Sequence, residues 1–400
     1  MTHPGRQHSH QAAVGLERAG LLAGYWAGVP ALAEQLERIP AVLRPRLARY
    51  APVPLAAKRV RWFPWTPALR RLGDGLLGGG VFDTGAAWID FAACRLFDRW
   101  AAVSLPDVRA DAVIACEISA LDTFREARRR GMITLLDAPS LHHSAQDRLH
   151  GTTDPPALHR RIVRIKEAEI ALADHVLTVS ELARQTYLDA GVPAAKVHAV
   201  TLGADTELFA PAAGGEPEPR PFTFLFAGAA IHRKGFDLLL DAFARVAAAE
   251  PEVRLCLVGP GGDAAHLLDR APAGRITACG PTDQPGLAAA LRRAECLVLP
   301  SRNDSYGMVV AEALASGVPA LVSEMVGAKD LVREGETGWV VPVEDVEALT
   351  ERMLWCVRHP AEVRTMRDAC RRAAETATWP AYHRRLAELV GRLAGPGGGL

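Results

Sequence analysis

The stretch from residue 296 to residue 319 constrains the fold more than any other part of the chain. It opens with the apolar run Cys296-Leu297-Val298-Leu299, which is too short for a helix and suits a buried parallel strand. A polar turn ending in Gly307 follows, and then an apolar-periodic helix that Gly317 and Pro319 stop. This order predicts an α/β fold in which backbone N–H groups at the helix start face a bound anion.

Two carboxylates bracket the same turn and the start of its helix. Asp304 lies in the turn and Glu312 lies in the helix. A carboxylate repels phosphate, but its oxygens accept hydrogen bonds from sugar or ribose hydroxyls. The alternative is that Glu312 is a solvated helix residue and Asp304 an ordinary turn former. This stretch alone leaves both interpretations open.

Strands and helices alternate in two blocks, separated by a segment rich in Pro, Gly and Glu at 206–221. We therefore expect two doubly wound domains that face one cleft. The predicted boundaries are 1–205 for the first domain, 206–221 for the linker and 222–378 for the second domain. A final amphipathic helix is expected at 379–394.

The first hundred residues are less regular. A turn at Gly5 precedes a helix predicted at 12–19, and such a turn normally follows a buried strand. Because almost nothing precedes Gly5, we expect a curtailed first strand and a natural start upstream. The aromatic cluster Trp62-Phe63-Pro64-Trp65 stands beside Lys58, Arg59 and Arg61. It either docks on a membrane surface or an apolar acceptor, or it packs under a long loop.

Composition narrows the class of partner and the compartment. The 46 basic and 46 acidic residues cancel, so overall charge does not favour nucleic acid as a partner. The seven cysteines are scattered and include no C-x-x-C pair, which favours a reducing compartment over a disulfide framework. No apolar run approaches the ~20 residues needed to span a bilayer. We expect a cytoplasmic protein, with peripheral contact at the inner membrane face as an added possibility. The oligomeric state stays open.

A second anion-binding turn follows the first strand of the second block. It runs from Gly228 to Gly235 and carries the adjacent cations Arg233 and Lys234. Its glycines allow a ligand to approach the backbone, and the two cations suit a diphosphate. A solvated basic turn is the alternative. That alternative is less favoured because this turn and the turn that carries Asp304, called the carboxylate turn below, both follow the carboxyl ends of strands in one sheet.

The residues now quoted resemble family 4 glycosyltransferases, a group 1, glycogen-synthase-like retaining family with the GT-B arrangement of two facing Rossmann-like domains. Similar motifs cover the chain from about residue 110 to its end. They are Phe226-Ala227-Gly228, Arg233-Lys234-Gly235-Phe236, Val258-Gly259-Pro260-Gly261, Leu299-Pro300-Ser301, Glu312-Ala313-Leu314-Ala315-Ser316-Gly317-Val318-Pro319, Glu334-Gly335-Glu336-Thr337-Gly338, and residues 173–181 and 203–209.

The resemblance implies roles at the donor site. Arg233 and Lys234 would hold the donor diphosphate, and Glu312 would bind the ribose hydroxyls. Asp304 replaces the first acid of the family's E-x7-E pair, and its side chain, one methylene shorter, moves the acceptor oxygens. Tyr306 stands where the family often has Phe. The other implied donor-binding residues are Gly5, Gly228, Gly280, Ser305, Gly307 and Met308.

The resemblance also implies an acceptor site on the first domain, with the final helix crossing back onto that domain. Glu117, His142 and His143 would face the acceptor, and His142 would lie near the reacting sugar. The partners implied are a nucleotide sugar and a glycan or lipid-linked acceptor. Because Arg233 and Lys234 neutralise the leaving diphosphate and the chain has no D-x-D triplet, no metal or other cofactor is expected.

The implied reaction is transfer of a sugar to an acceptor hydroxyl with retention of configuration. A hydrolase with two acidic groups is a rival, but it leaves Arg233 and Lys234 without a purpose. An oxidoreductase is disfavoured because the dinucleotide fingerprint is absent. The main alternative is a non-catalytic nucleotide-sugar-binding or scaffold protein with a degraded transferase fold. The altered acid at Asp304 and the curtailed first strand motivate that alternative.

Overall fold

Two parallel β-sheets, with strands and helices alternating along the chain, make up the fold. The computed structural model describes residues 1–6, 8–37, 53–63, 83–152, 154–211, 221–259, 261–262, 265–270 and 274–394. Every strand pair in both sheets is parallel, which agrees with the short, continuously apolar strands in the sequence. The predicted α/β class is confirmed.

Within the described residues, the first sheet has seven strands in the order β3-β2-β1-β4-β5-β6-β7. Its strands are β1 Thr2–His3, β2 Tyr25–Ala27, β3 Val60–Trp62, β4 Ala112–Cys116, β5 Ile133–Ala138, β6 His175–Thr178 and β7 Val197–Ala199. Its helices are α1 Ser9–Arg18, α2 Ala33–Glu37, α3 Asp83–Ser104, α4 Leu121–Arg129, α5 His143–His150, α6 Pro156–Leu172 and α7 Glu181–Asp189.

In the part of the chain that the structure describes, the second sheet has six strands in the order β10-β9-β8-β11-β12-β13. Its strands are β8 Thr223–Ala227, β9 Arg254–Val258, β10 Ile276–Ala278, β11 Cys296–Leu299, β12 Ala320–Ser323 and β13 Gly338–Val341. The helices that follow or connect them are α8 Phe236–Ala249, α9 Gln284–Leu291, α10 Met308–Ala315, α11 Val346–Arg358, α12 Pro360–Thr365, α13 Arg367–Ala374 and α14 Trp379–Ala394.

Strand order reverses once in each sheet, between β1 and β4 and between β8 and β11. Loops that leave neighbouring strands at such a reversal diverge to opposite sides and open a crevice at the carboxyl ends. The turns after β8 and β11 are the two that the sequence singles out. Their strands are adjacent, with Leu297 opposite Leu225, so the topology brings both turns to one edge.

The N-terminal end enters the first sheet directly. β1 has two residues, as expected for a curtailed strand, and it pairs with both β2 and β4. The helix that follows begins at Ser9, three residues before the predicted start. Ser9 and His10 are buried, with the Ser9 hydroxyl 2.9 Å from the Tyr25 hydroxyl. Their polar character hid the first turn of α1 from an apolar-periodicity pattern.

The aromatic cluster near residue 63 packs against the protein where it is described. The ring of Phe63 lies 5.2 Å from that of Trp100 and 6.2 Å from that of Phe97. The Arg61 guanidinium lies over Trp26 at 5.6 Å. Phe63 therefore follows the packed alternative, and Pro64 and Trp65 lie outside the described residues.

The chain returns to the first sheet at its C-terminal helix. α14 packs against α1, where the His383 ring is 2.9 Å from the Gln11 side chain and a Cβ on Gly15 would clash with His383. The start of the predicted linker is also packed. Phe209 is fully buried, and the Arg371 guanidinium donates to the carbonyl oxygens of Thr206 and Phe209. Residues 212–220 lie outside the described residues, and the domain limits stay predictions.

Two sequence predictions, one on cysteine burial and one on membrane-spanning helices, can be compared with the structure. Five of the seven cysteines are buried, as expected for small hydrophobic residues, while Cys256 and Cys279 are more exposed. Among the helices that the structure describes, none combines the length and the apolar character needed to cross a bilayer.

Candidate functional site

A cleft of about 780 Å³ opens between the two sheets. Its wall from the first sheet includes His8 and Pro139, and its wall from the second sheet contains most of the predicted donor-site residues. Those are Gly228, Arg233, Lys234, Asp304, Ser305, Tyr306, Gly307, Met308 and Glu312. The structure therefore brings the two predicted anion-binding turns together in one cleft.

The turn after β8 is shaped by a left-handed glycine. Gly235 has a φ of 66° and precedes the first residue of α8. A Cβ at this position would lie 2.0 Å from the Pro300 carbonyl oxygen, so only glycine lets the two turns meet. The Arg233 carbonyl accepts from the Arg302 N–H at 3.0 Å, and the Arg233 guanidinium donates to the Asn303 carbonyl at 2.9 Å. Arg233 thus joins its own turn at 228–235, called the cation turn below, to the carboxylate turn.

Lys234 and Asp304, both predicted at the donor site, form an ion pair with each other. The Lys234 ammonium hydrogen-bonds the Asp304 carboxylate, and both side chains are largely buried in the cleft wall. The shorter acid at position 304 therefore contacts the cation turn. In this state the carboxylate neutralises one of the two cations that the sequence assigns to the diphosphate.

Arg302 is a supporting residue that the sequence analysis missed. Its guanidinium donates to both Asp237 carboxylate oxygens, at 2.7 and 2.8 Å, and to Glu344 at 2.7 Å. Burial alone would raise the pKa of Asp237, but Arg302 outweighs burial and lowers it. The buried guanidinium also donates to the His232 carbonyl, so it anchors both turns. The sequence offered one signal for this residue, because Arg302 stands directly before Asn303 and Asp304.

Glu312 lies on α10 with its side chain buried at the floor of the cleft. The Gln284 amide, at the start of α9, donates to its carboxylate at 3.3 Å. Burial raises the pKa of Glu312 to about 7, with the Gln284 hydrogen bond offsetting part of the effect. Glu312 is thus not a solvated helix residue. Gln284 was also missed, because it sits in a short helix with little apolar periodicity.

α10 directs its N-terminus at the cleft. Gly307 adopts a left-handed conformation with a φ of 84°, and a Cβ there would lie 2.7 Å from the Val326 side chain. Residues 305–308 line the cleft immediately before and at the first turn. The first backbone N–H groups of a helix have no partner within the helix, and they carry the positive end of its dipole. This end of α10 can therefore bind an anion.

Two hydrogen bonds join the carboxylate turn to the first domain. The Tyr306 hydroxyl donates to the Leu202 carbonyl at 2.7 Å, and the Ser180 hydroxyl donates to the Ser305 carbonyl at 2.6 Å. Tyr306 is buried. The hydroxyl that distinguishes Tyr306 from the family's common Phe thus spans the cleft between the two sheets.

Tyr306→Phe is expected to lower the free energy of unfolding by about 1 kcal/mol, the usual worth of a neutral hydrogen bond. It should also raise the radius of gyration measured by X-ray scattering, because the lost bond connects the two domains. Tyr25→Phe is the matched control, since its hydroxyl contacts Ser9 within the first domain. Urea unfolding should show a similar loss for the control, with unchanged scattering. Wild-type stability and scattering for Tyr306→Phe would contradict the bridging role.

A buried ion pair at the cleft wall was not anticipated. His8 Nε2 lies 2.9 Å from the Asp137 carboxylate, and only 6% of each side chain is exposed. Burial opposes both charges, but each group offsets it for the other, which raises the pKa of His8 and lowers that of Asp137. Asp137 ends a strand in the sequence pattern and His8 sits in a polar run, so nothing local indicated their contact.

Five predicted residues are not among those lining the cleft in the described part of the chain. The Gly5 N–H donates to His3 Nδ1 at 3.0 Å. Gly280 precedes the cleft-lining residues 281–284, and its carbonyl accepts from the Gly259 N–H. Glu117 pairs with Lys166 at 3.0 Å. His142 is the N-cap of α5, and His143 is its first residue. The donor and acceptor roles assigned to these five residues stay predictions.

Comparison with known proteins supports the resemblance found in the sequence. Residues 221–359 match the family model described as Glycosyl transferases group 1. A phosphatidyl-myo-inositol mannosyltransferase of Mycobacterium tuberculosis (strain ATCC 25618 / H37Rv) is 37% identical over 176 residues. That alignment covers 42% of this chain and 45% of the mannosyltransferase. The chain therefore matches about half the length of this curated relative.

Solved structures with the same fold cover more of the chain. Sucrose-phosphate synthase from Thermosynechococcus elongatus superposes with a TM-score of 0.70 at 20% identity, covering 96% of this chain and 92% of its own. Anabaena HepE in complex with UDP-glucose gives a TM-score of 0.61 at 16% identity, covering 82% of this chain and 93% of its own. The predicted GT-B arrangement is confirmed.

Proposed function

We propose that this chain, whose residues 221–359 match the family model described as Glycosyl transferases group 1, moves a hexose-like sugar from a nucleoside diphosphate to an acceptor hydroxyl with retention of configuration. The observation that carries the proposal is the meeting of Arg233, Lys234 and Glu312 in one interdomain cleft. A hydrolase would need acidic groups alone, whereas this cleft pairs cations with a buried carboxylate. Assembly of a glycan, polysaccharide or glycolipid is the proposed setting.

The donor would lie along the second sheet. Its diphosphate would contact Arg233, Lys234 and the N-terminus of α10, and its ribose hydroxyls would donate to Glu312. When the bond between the anomeric carbon and the phosphate oxygen breaks, its electrons stay on the diphosphate. The two cations stabilise that charge, and such preorganised groups are typically worth ~3–4 kcal/mol each. The transfer chemistry therefore needs no metal.

The diphosphate would also compete with Asp304 for Lys234. Because the Lys234 ammonium contacts the Asp304 carboxylate, donor binding draws the ammonium toward phosphate and frees carboxylate oxygens for sugar hydroxyls. The pair would thus hold the lysine in place before the donor arrives. Asp304 would become a sugar ligand only with the donor bound.

The acceptor would approach from the first domain. We place Glu117, His142 and His143 on that side, beside the carboxyl ends of β4 and β5, with Gly5 near the diphosphate. The mannosyltransferase relative is named for phosphatidyl-myo-inositol, which supports a lipid-linked acceptor here. A location at the cytoplasmic membrane face is part of the same proposal. Contact of residues 58–63 with a membrane also belongs to this proposal.

Nucleotide release measured over a panel of nucleotide sugars, with and without an acceptor extract, tests the function. A transferase releases nucleotide from one donor at a rate that the acceptor raises. A folded protein that binds nucleotide but shows no turnover with any donor and extract would favour the scaffold alternative instead. Hydrolysis that the acceptor leaves unchanged would favour a hydrolase.

Glu312→Ala is expected to lower turnover more than tenfold without unfolding the protein, because the ribose loses its buried acceptor. Donor binding should also depend on pH. With a pKa of about 7, Glu312 is a mixture of acid and carboxylate at neutral pH, and only the carboxylate accepts from both ribose hydroxyls. Nucleotide affinity, measured by calorimetry, should rise from about pH 6 to about pH 8.

Glu312→Gln is the matched control because it keeps the shape of the side chain and removes its titration. Its nucleotide affinity should be weak and nearly constant over the same pH range. Wild-type turnover in Glu312→Ala, or a pH profile that Glu312→Gln leaves unchanged, would show that Glu312 does not contact the donor.

A further inference from the structure

A cluster of metal-ligating side chains lies beyond the residues that line the cleft. His142 is the N-cap of α5 and His143 is its first residue, and Glu167 faces them from α6. The Glu167 carboxylate oxygen lies 3.0 Å from His143 Nε2 and 4.0 Å from His142 Nε2. One ligand atom from each residue lies within 4.8 Å of the others. Tetrahedral Zn²⁺ spaces its ligand atoms by roughly 3.3 Å, so small side-chain rotations close the site.

The His142 ring is held in place from several directions. Its backbone N–H donates to the Thr186 hydroxyl at 2.9 Å, and its ring packs edge-on against Tyr187 at 5.1 Å. Nδ1 lies 2.8 Å from the Ser144 hydroxyl. Nδ1 also accepts from the Ser144 backbone N–H at 3.3 Å, so the ring proton lies on Nε2 and faces Glu167. Zn²⁺ binding at Nε2 would displace that proton, and Nδ1 could then carry a proton and donate it to the Ser144 hydroxyl. Such a partner on the second ring nitrogen is typical of histidine metal ligands.

Protonation and charge both suit a cation. Burial, followed by the charges of His143, Lys166 and Arg148, lowers the pKa of His142 to about 4, and burial also lowers the pKa of His143. Metal binds the neutral imidazole, which at an ordinary pKa of about 6.5 is already the main form at pH 7. Lys166 is neutralised by Glu117 at 3.0 Å, which leaves the negative charge of Glu167 to the histidine pair.

The donor set selects the class of metal ion. Two imidazole nitrogens and one carboxylate oxygen suit Zn²⁺ and similar transition metals, whereas Ca²⁺ and Mg²⁺ prefer oxygen ligands only. The Glu167 side chain is 57% exposed while the two histidines are nearly buried. The open side toward solvent leaves room for a water molecule as the fourth ligand.

We infer that His142, His143 and Glu167 form a Zn²⁺ site that ties α5 to α6 beside the cleft. The inference goes beyond the proposed function and does not depend on it, because Arg233 and Lys234 serve the diphosphate without a metal. Zn²⁺ would occupy the same imidazoles that are predicted to face the acceptor, so the two roles compete. Pro139, which lines the cleft, stands between β5 and this site, so the ion would also stiffen the cleft wall.

Isothermal calorimetry with Zn²⁺, on the full chain freed of metal by a chelator, tests the site. The wild type should bind one ion saturably and gain thermal stability. Glu167→Gln and His143→Asn should each weaken binding at least tenfold and remove the thermal gain. Because Glu167 is exposed, Glu167→Gln is expected to fold normally. His159→Gln is the matched control, since His159 pairs with Asp147 at 3.1 Å between the same two helices.

Visible absorption of the Co²⁺-loaded protein gives a second readout. The wild type should show the intense bands of four-coordinate Co²⁺, and Glu167→Gln should lose them while His159→Gln keeps them. No saturable binding in the wild type would overturn the inference. So would full Zn²⁺ affinity in either ligand variant, which would place the ion elsewhere, for example at the buried group His3, Cys116 and Asp137.

Discussion

Lys234→Ala is expected to lower kcat/KM by more than tenfold, and by on the order of 100-fold if the ammonium supplies the ~3 kcal/mol typical of a preorganised charge. Two effects add in the same direction. The leaving diphosphate loses a cation, and the Asp304 carboxylate loses its partner inside the cleft wall. An unpaired carboxylate then repels the incoming diphosphate. Steady-state kinetics with the donor found in the panel measures the loss.

The double variant Lys234→Ala/Asp304→Asn separates these two effects. Removing the unpaired carboxylate should restore part of the donor affinity, seen as a lower KM than in Lys234→Ala, while kcat stays low because the cation is still missing. Lys329→Ala is the matched control, since this lysine lies in the same half of the chain and does not line the cleft. Near-wild-type turnover in Lys234→Ala would show that the donor site has been assigned wrongly.

The wall of the cleft that the second sheet forms was predictable because its information is local. β11, the turn after it and α10 form a contiguous strand, loop and helix whose apolar pattern, glycines and proline all agree. Gly235 and Gly307 mark positions where the backbone must adopt a left-handed conformation. Parallel strands then place the two turns at one edge, so the meeting of Lys234 and Glu312 in one cleft follows from topology.

The missed residues are those whose partners are distant in sequence. Arg302 contacts Asp237 and Glu344, and His8 contacts Asp137 from 129 residues away. A polar residue can be buried where a partner satisfies or neutralises it, and the apolar periodicity of a sequence does not indicate that partner. His142 shows the converse case. Its place after β5 is as predicted, but its ring is engaged by Ser144, Tyr187 and His143, which only the packed structure shows.

Asp137→Ala is expected to lower the free energy of unfolding by about 3–5 kcal/mol, because it leaves the buried His8 without its partner. Asp107→Ala is the matched control. Asp107 pairs with Arg61 at 2.8 Å, close to the 2.9 Å of the buried pair, but its side chain is 60% exposed. Loss of such an exposed pair should cost less than about 1 kcal/mol. Urea unfolding of the full chain compares the two variants.

The pH dependence of this loss identifies its cause. His8 has a raised pKa, so its contribution is complete below its ordinary value of 6.5 and disappears as pH rises through the raised pKa. Asp137 has a lowered pKa, so its contribution is complete above its ordinary value of 3.8 and disappears as pH falls through the lowered pKa. The destabilisation by Asp137→Asn, which preserves side-chain volume, should therefore be greatest between pH 3.8 and 6.5 and shrink in alkali. A destabilisation that stays constant from about pH 5 to about pH 10 would mean that His8 is neutral throughout and that packing alone stabilises this wall of the cleft.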